Sequence, residues 1–193
     1  MIKSCPTRRE FLVRCAAPCA AGLVPPVPAA AAVEQFRRGG MLYRRLGRTD
    51  LFVSLLSFGS HTDPTFKVKN GDLGTVLSAE GQARRDRQIV RAFDLGVNLL
   101  DVYESEGQWE PAAKLVRGRR DRVLISLAHT NPEFIGRNID RAARLFGHVD
   151  LYRCHTHLID GQCLEFWDVL RKAKEVGKVR AIGIATHNEP TML

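Results

Sequence analysis

The chain has 193 residues, enough for one domain with a core of its own, and its apolar fraction of 45% argues against disorder throughout. The formal charge of +8 is uneven: residues 1–40 hold six basic groups and two acidic ones, leaving 23 basic against 19 acidic for the rest. A nucleic-acid partner would call for a basic stripe on the folded part, and none is expected here. The one dense run, Arg117-Gly118-Arg119-Arg120-Asp121-Arg122, falls between a helix-like and a strand-like segment and reads as a solvated connection. Of five cysteines, Cys5, Cys15 and Cys19 lie near the start; Cys154 and Cys163 are not in a CxxC pair, so no zinc or iron–sulfur framework is visible. A Cys154–Cys163 disulfide would need an oxidising compartment, and two separate buried thiols are the simpler reading.

Residues 1–40 read as an export signal and linker. Thr7-Arg8-Arg9-Glu10-Phe11-Leu12 resembles a twin-arginine export signal, and the apolar stretch that follows is broken by Arg14 and by prolines 18, 25, 26 and 28. That is too interrupted for a spanning helix and fits a weakly hydrophobic signal core. Alanines 29–32 offer a cleavage site. The expected location is the periplasm or beyond, with Arg8 and Arg9 read by the export machinery; translation from Met41 would instead leave the protein in the cytoplasm.

From Met41 on, strand-like and helix-like segments alternate. Leu42–Arg45 and Leu51–Val53 flank the turn Gly47-Arg48-Thr49-Asp50, a β-hairpin pattern. Strands are expected at Ser54–Gly59, Val97–Asp101, Arg122–Ala128, Val149–Cys154 and Val179–Ala185. Helices are expected at Gln82–Leu95, Glu110–Val116, Glu133–Phe146 and Leu164–Val176, with Gly96 and Gly177 as stops. Apolar strands alternating with amphipathic helices make parallel βαβ units. No Gly-x-Gly-x-x-Gly follows the first strand, which argues against a dinucleotide-binding doubly wound sheet. The fold class is therefore α/β, a partial (β/α)8 barrel of about five strands out of eight over residues 41–193, preceded by the hairpin. Such a piece would leave two sheet edges open and apolar side chains such as Leu55, Leu99, Ile125, Leu151 and Ile182 on an uncovered interior, so self-association is expected. Asn188–Leu193 reads as the opening of a further helix.

Five of six histidines, His61, His129, His155, His157 and His187, follow strands, and only His148 precedes one. Asp101, Tyr103, Glu104 and Glu106 end or follow the second strand. The carboxyl ends of parallel strands form the active rim of such folds, and titratable groups gathered there suit acid–base chemistry.

These segments together resemble the aldo-keto reductases. Tyr43-Arg44-Arg45-Leu46-Gly47-Arg48-Thr49 with Val53-Ser54-Leu55 resembles their opening hairpin and first strand. Val97-Asn98-Leu99-Leu100-Asp101 resembles the strand ending in the catalytic aspartate, and Asp150-Leu151-Tyr152-Arg153-Cys154-His155 the strand ending in the catalytic histidine. Gly177-Lys178-Val179-Arg180-Ala181-Ile182-Gly183-Ile184 resembles the entry to the fifth. The resemblance implies NADPH-dependent reduction of a small carbonyl substrate: hydride to carbon, a proton from a tyrosine to oxygen, a lysine paired with the aspartate, and a histidine orienting the carbonyl. It assigns Asp101 and His155 to catalysis, and Gly59, Ser60, Asp101, Ala185 and Thr186 to the cofactor, NADP(H). The usual tyrosine position holds Glu106, and the usual lysine position holds Ala128. Tyr103, two residues past Asp101, is the substitute proton donor, since alternation puts both positions on one strand face; His129 is the substitute cation. A phenol needs a nearby cation to work as a donor at neutral pH.

Two other readings compete. One is an inactive truncated remnant, given the replaced positions. The other is a metal-dependent hydrolase or isomerase on the same barrel, with His155, His157, Asp101, Glu104, His129 and His187 on the rim. Because the resemblance gives His155 another role, no metal is expected. Replacing Arg8-Arg9 by Lys-Lys should abolish appearance of the protein in the periplasm, as read by cell fractionation; undiminished export counts against the leader reading.

Overall fold

The computed structural model describes residues 33–70, 75–103, 107–129, 132–155 and 162–185. The chain divides into two compact units between Ala32 and Val33, and the described residues all belong to the second. Glu104 to Glu106, His157, Thr186, His187 and the leader lie outside them, as do the side chains of Tyr103, His129, His155 and Cys163.

The unit opens with a three-stranded antiparallel sheet: β1 (Gln35–Arg38), β2 (Met41–Arg45) and β3 (Phe52–Ser54). Residues 35–38, which from the sequence fall in the linker, thus form a strand. Their place is secured by aromatic packing: Phe36 stacks on Tyr43 with ring centroids 5.0 Å apart and lies 5.3 Å from Phe52. The Tyr43 hydroxyl donates to the Gly96 carbonyl at 2.7 Å, tying the hairpin to the loop below the main sheet. Gly96 has φ +93°, and a Cβ there would come within 2.9 Å of Met41 Cβ, so both backbone and space require glycine.

The expected first barrel strand at Ser54–Gly59 does not form. Ser54 ends β3 opposite Tyr43, its hydroxyl donates to the Leu56 carbonyl at 2.5 Å, and only Phe58 makes a parallel bridge, to Leu100. A serine turning back on its own backbone bends the chain away from the ladder, and Leu55 and Leu56 are left exposed. A short 3-10 turn (Pro64–Phe66) capped by Asp63 leads to a small hairpin, β4 (Lys67–Lys69) and β5 (Thr75–Leu77), that the sequence reading missed.

The main body is four βα-type units. Helix α1 (Ala79–Asp94) begins three residues earlier than expected because the Ser78 side chain caps it, accepting from Gly81 N–H. Strand β6 (Leu99–Tyr103), helix α2 (Trp109–Val116), strand β7 (Leu124–His129), helix α3 (Pro132–Phe146), strand β8 (Val149–His155), helix α4 (Gln162–Glu175) and strand β9 (Val179–Ala185) follow in order. The strands make one parallel sheet in the order β6-β7-β8-β9. Among the described residues this sheet has four strands where five were expected, with the Phe58 bridge in place of the first.

One face of this sheet meets the helices. Leu100, Val102, Ile125, Leu127, Tyr152 and Cys154 are buried against Ile89, Trp109, Ile135, Ile139, Phe146 and Leu170. Burial of this continuous apolar layer, each large side chain contributing about 1.5–3 kcal/mol, holds the helices to the sheet. Ile125 is thus in the helix layer, and Ile182, in register with Tyr152, is on that side too. The sequence reading had placed both on the opposite, inner face; strand alternation separates them from Leu99 and Leu151.

At the amino ends of the strands, the fully buried Asp150 carboxylate gathers donors. Ile125 N–H donates to it at 2.8 Å, Arg120 at 2.6 Å and Arg180 at 2.8 Å, and His148 Nε2 lies 3.3 Å away. Arg180 also reaches Asp50 in the β2–β3 turn at 3.0 Å. Burial works against the charge of Arg180, but its hydrogen bonds to Asp150 and Asp50 outweigh that and hold it above its ordinary pKa. Removing the carboxylate by Asp150→Ala should cost about 3–5 kcal/mol, since the arginines would keep their charge without its partner. Urea unfolding reads this directly, and an unchanged midpoint contradicts the clamp.

Candidate active site

The inner face of the parallel sheet is built in rows. Asp101 is in register with Ser126, Ser126 with Leu151, and Leu151 with Ala181. One row nearer the carboxyl ends, Tyr103 is in register with Ala128, Ala128 with Arg153, and Arg153 with Gly183. His155 and Ala185 pair one row further out. Side-chain alternation with period two puts Asp101, Tyr103, Ala128, Arg153, His155 and Ala185 on one strand face. The backbone therefore brings four expected site positions, Asp101, Tyr103, His155 and Ala185, to the same face at the carboxyl end.

The unexpected member is Arg153. Its Nη2 donates to Asp101 Oδ1 in an ion pair whose side chains are only 21% and 17% exposed. The two residues stand on β8 and β6, so the pair spans the whole of β7, roughly 10 Å of sheet. It can do so because β7 presents only Ser126 and Ala128 beneath it. On the other side Arg153 is flanked by Gly183, where a Cβ would touch Arg153 Cγ at 3.5 Å. Arg153 Nε is buried and has no hydrogen-bond partner among the described residues, a cost of about 1–3 kcal/mol. The sequence did hold a signal for Arg153: a charge inside the strand segment Asp150–His155, two residues before the histidine and so on its face, must find a counter-charge.

The side chain of His129, the substitute cation expected from the sequence, lies outside the described residues. The residue stands in register with Cys154, a buried thiol on the helix side whose Sγ lies 3.7 Å from the Gly183 carbonyl.

Gly59 and Ser60 lie on the loop beside the end of β6. The Ser60 hydroxyl donates to the Asp101 carbonyl, joining this loop to the strand that carries the carboxylate. Buried Arg85 of α1 holds the same loop, donating to the Gly59 carbonyl at 2.9 Å and the His61 carbonyl at 3.2 Å while its guanidinium lies over the Phe58 ring. Both contacts were invisible in the sequence, since a helical arginine is ordinarily solvated. A small cavity of about 100 Å³ lined by His61, Asp63, Arg84 and Arg85 lies behind the loop. Among the described residues no three side chains of the metal-ligating types gather.

A parallel sheet covered by helices on one face, with a carboxylate, a cation and a histidine position at the carboxyl end of the other, is the architecture of a (β/α) barrel, here in part. The aldo/keto reductase family model matches residues 70–191, and the chain belongs to that family. Among solved structures it is similar to the aldo-keto reductase AKR11C1 of Bacillus halodurans in its holo form, at 21% identity over 78% of this chain and 52% of that one, with a TM-score of 0.61. The apo form of that protein gives 22% identity, coverage of 78% and 49%, and a TM-score of 0.57. The thermostable aldo-keto reductase Tm1743 in complex with the inhibitor epalrestat gives 20% identity, coverage of 75% and 53%, and a TM-score of 0.58. The chain spans about half the length of these structures, and at such identities the likeness is one of fold. Among curated proteins none matches.

Arg85→Met should free the loop carrying Gly59 and Ser60. Amide hydrogen exchange at residues 60–62 should speed up by about tenfold, from the loss of two charge-assisted hydrogen bonds. Exchange at the wild-type rate rules out Arg85 as the loop's anchor.

Proposed function

We propose that this chain carries the aspartate- and histidine-bearing part of an exported oxidoreductase that reduces a small carbonyl compound with NADPH. The observation that supports this reading most is the Asp101–Arg153 ion pair on the inner face of a sheet of this family. The inner face also suits the nicotinamide end of the cofactor. Ser126, Ala128, Ala181, Gly183 and Ala185 on this face are all small, and the Ser60 hydroxyl joins the loop carrying Gly59 to the Asp101 carbonyl beside the pair. When bound, NADPH supplies the hydride.

The chain's own residues do the rest. His155 directs the carbonyl, Tyr103 gives its proton to the carbonyl oxygen, and Asp101 orders the polar end of the site. Ala185 and Thr186 stand where the resemblance puts the Ser-Asn that holds the carboxamide, so any hold on the cofactor at Ala185 is through its backbone. Ala128 and Glu106 at the usual lysine and tyrosine positions favour the rival reading of an inactive remnant; the cation that Arg153 supplies beside Asp101 weighs against it. Arg8 and Arg9 direct the chain to export.

Loss of NADPH absorbance with an aldehyde panel tests the reading. Tyr103→Phe should lower turnover by about a hundredfold or more, the scale of a removed general acid. Tyr103→Phe with full turnover eliminates that residue as the donor, and an inactive wild-type chain that also fails to quench NADPH fluorescence eliminates the reductase reading.

A further inference from the structure

We infer that Arg153 is the positioning cation of this site: it holds the Asp101 carboxylate from across β7 and takes over, from a neighbouring strand, the charge that position 128 lacks. The inference rests on the reductase reading above and adds a residue to it.

Three observations converge. The ion pair is formed and half-buried, with Arg153 Nη2 on Asp101 Oδ1. Position 128 is the in-register neighbour of Arg153 on β7, so a side chain rising from either strand reaches the same space over Asp101. The residues beneath the guanidinium's path, Ser126 and Ala128, are small, and Gly183 stands beside its stem. An arginine stem can span two strands only over small side chains, and on β7 the residues along its path are Ser126 and Ala128.

The physical need follows from the reaction. Carbonyl reduction builds negative charge on oxygen, and an unpaired carboxylate a few ångströms away would oppose it. Arg153 neutralises Asp101 and fixes its orientation through the bond from Nη2 to Oδ1.

The test uses the full 193-residue chain, NADPH, and 4-nitrobenzaldehyde as the probe carbonyl. Arg153→Met should lower kcat by about a hundredfold while KM stays within threefold, because the charge acts on the developing oxyanion more than on the bound substrate. Arg153→Lys, which keeps the charge and loses the guanidinium, should retain turnover within about tenfold of wild type. The deciding variant is Ala128→Lys combined with Arg153→Met: a lysine rising from the neighbouring strand should recover at least about tenfold of the lost kcat. A merely structural arginine would not be replaced by a lysine on a different strand.

Since a lone carboxylate could itself disturb folding, the neutral pair Asp101→Asn with Arg153→Met is compared with Asp101→Asn alone. The second substitution should add less than about threefold to the first, as expected for two residues acting as one unit. Arg153→Met with kcat within threefold of wild type, no recovery by Ala128→Lys, or losses that multiply in the double variant each overturn the role of Arg153 and leave the reductase reading standing. A wild-type chain without turnover overturns both.

Discussion

One buried carboxylate sets the geometry on which the rest relies. Asp150 sits at the amino end of β8 with no solvent contact and binds β7 through the Ile125 amide, β9 through Arg180 and the α2–β7 connection through Arg120. Arg120 in turn donates to the carbonyls of Val123, Phe146 and His148, closing the loops on either side. An uncompensated charge in such a place would be costly, so the cluster is satisfied in one arrangement of the three strands only. In a parallel sheet a slip of one residue moves every side chain to the other face. The clamp at one end of the strands therefore governs which residues meet at the other end, some five residues up the chain.

At that other end the register produces a division of labour between the two faces. The helix face holds large apolar side chains and carries the cohesion. The inner face holds small ones, with Asp101 and Arg153 as the charged pair among them. Small residues on an inner face contribute little burial, so their presence there is better explained by what must fit above them than by stability. The loop with Gly59 and Ser60 is fastened to this face from two directions, by Ser60 on the Asp101 carbonyl and by Arg85 on the Gly59 carbonyl. The rim beside Asp101 is thus a held structure, of the kind that orients a ligand.

Much of this was legible in the sequence, and the failures have physical causes. Helical periodicity and glycine stops located the four α-helices of the described residues, and Gly96 and Gly177, just past the ends of α1 and α4, have positive φ. The strands β6 to β9 were legible as apolar runs. The segment Ser54–Gly59 has the same composition, but a strand exists only if a neighbour accepts its hydrogen bonds, and composition does not record neighbours. Ile125 and Ile182 were assigned to the wrong face because runs buried on both sides lack alternation, so the face is decided by register alone. The strand β1 was hidden by its polar sequence, since all four of its residues are exposed and the stacking of Phe36 on Tyr43 is what places it.

Arg153 shows the same limit at the site itself. A resemblance carries residues over position by position along the chain, and along the chain the cation is missing: Ala128 stands where a lysine was expected. Electrostatics, however, depends on where a charge is in space and not on which strand bears it. Adjacent parallel strands held in register offer two backbone positions within reach of one carboxylate, about 5 Å apart. A cation can pass from one to the other provided the vacated position becomes small, and Ala128 beside Arg153 has that form. The exchange is not neutral, because a lysine on β7 stands next to its aspartate whereas an arginine on β8 must lie across β7 to reach it. That demand explains the guanidinium's length, the small residues along its path and the buried Nε left without an acceptor. The altered positions are therefore coupled: restoring bulk at 128 without shortening 153 would push the guanidinium off Asp101.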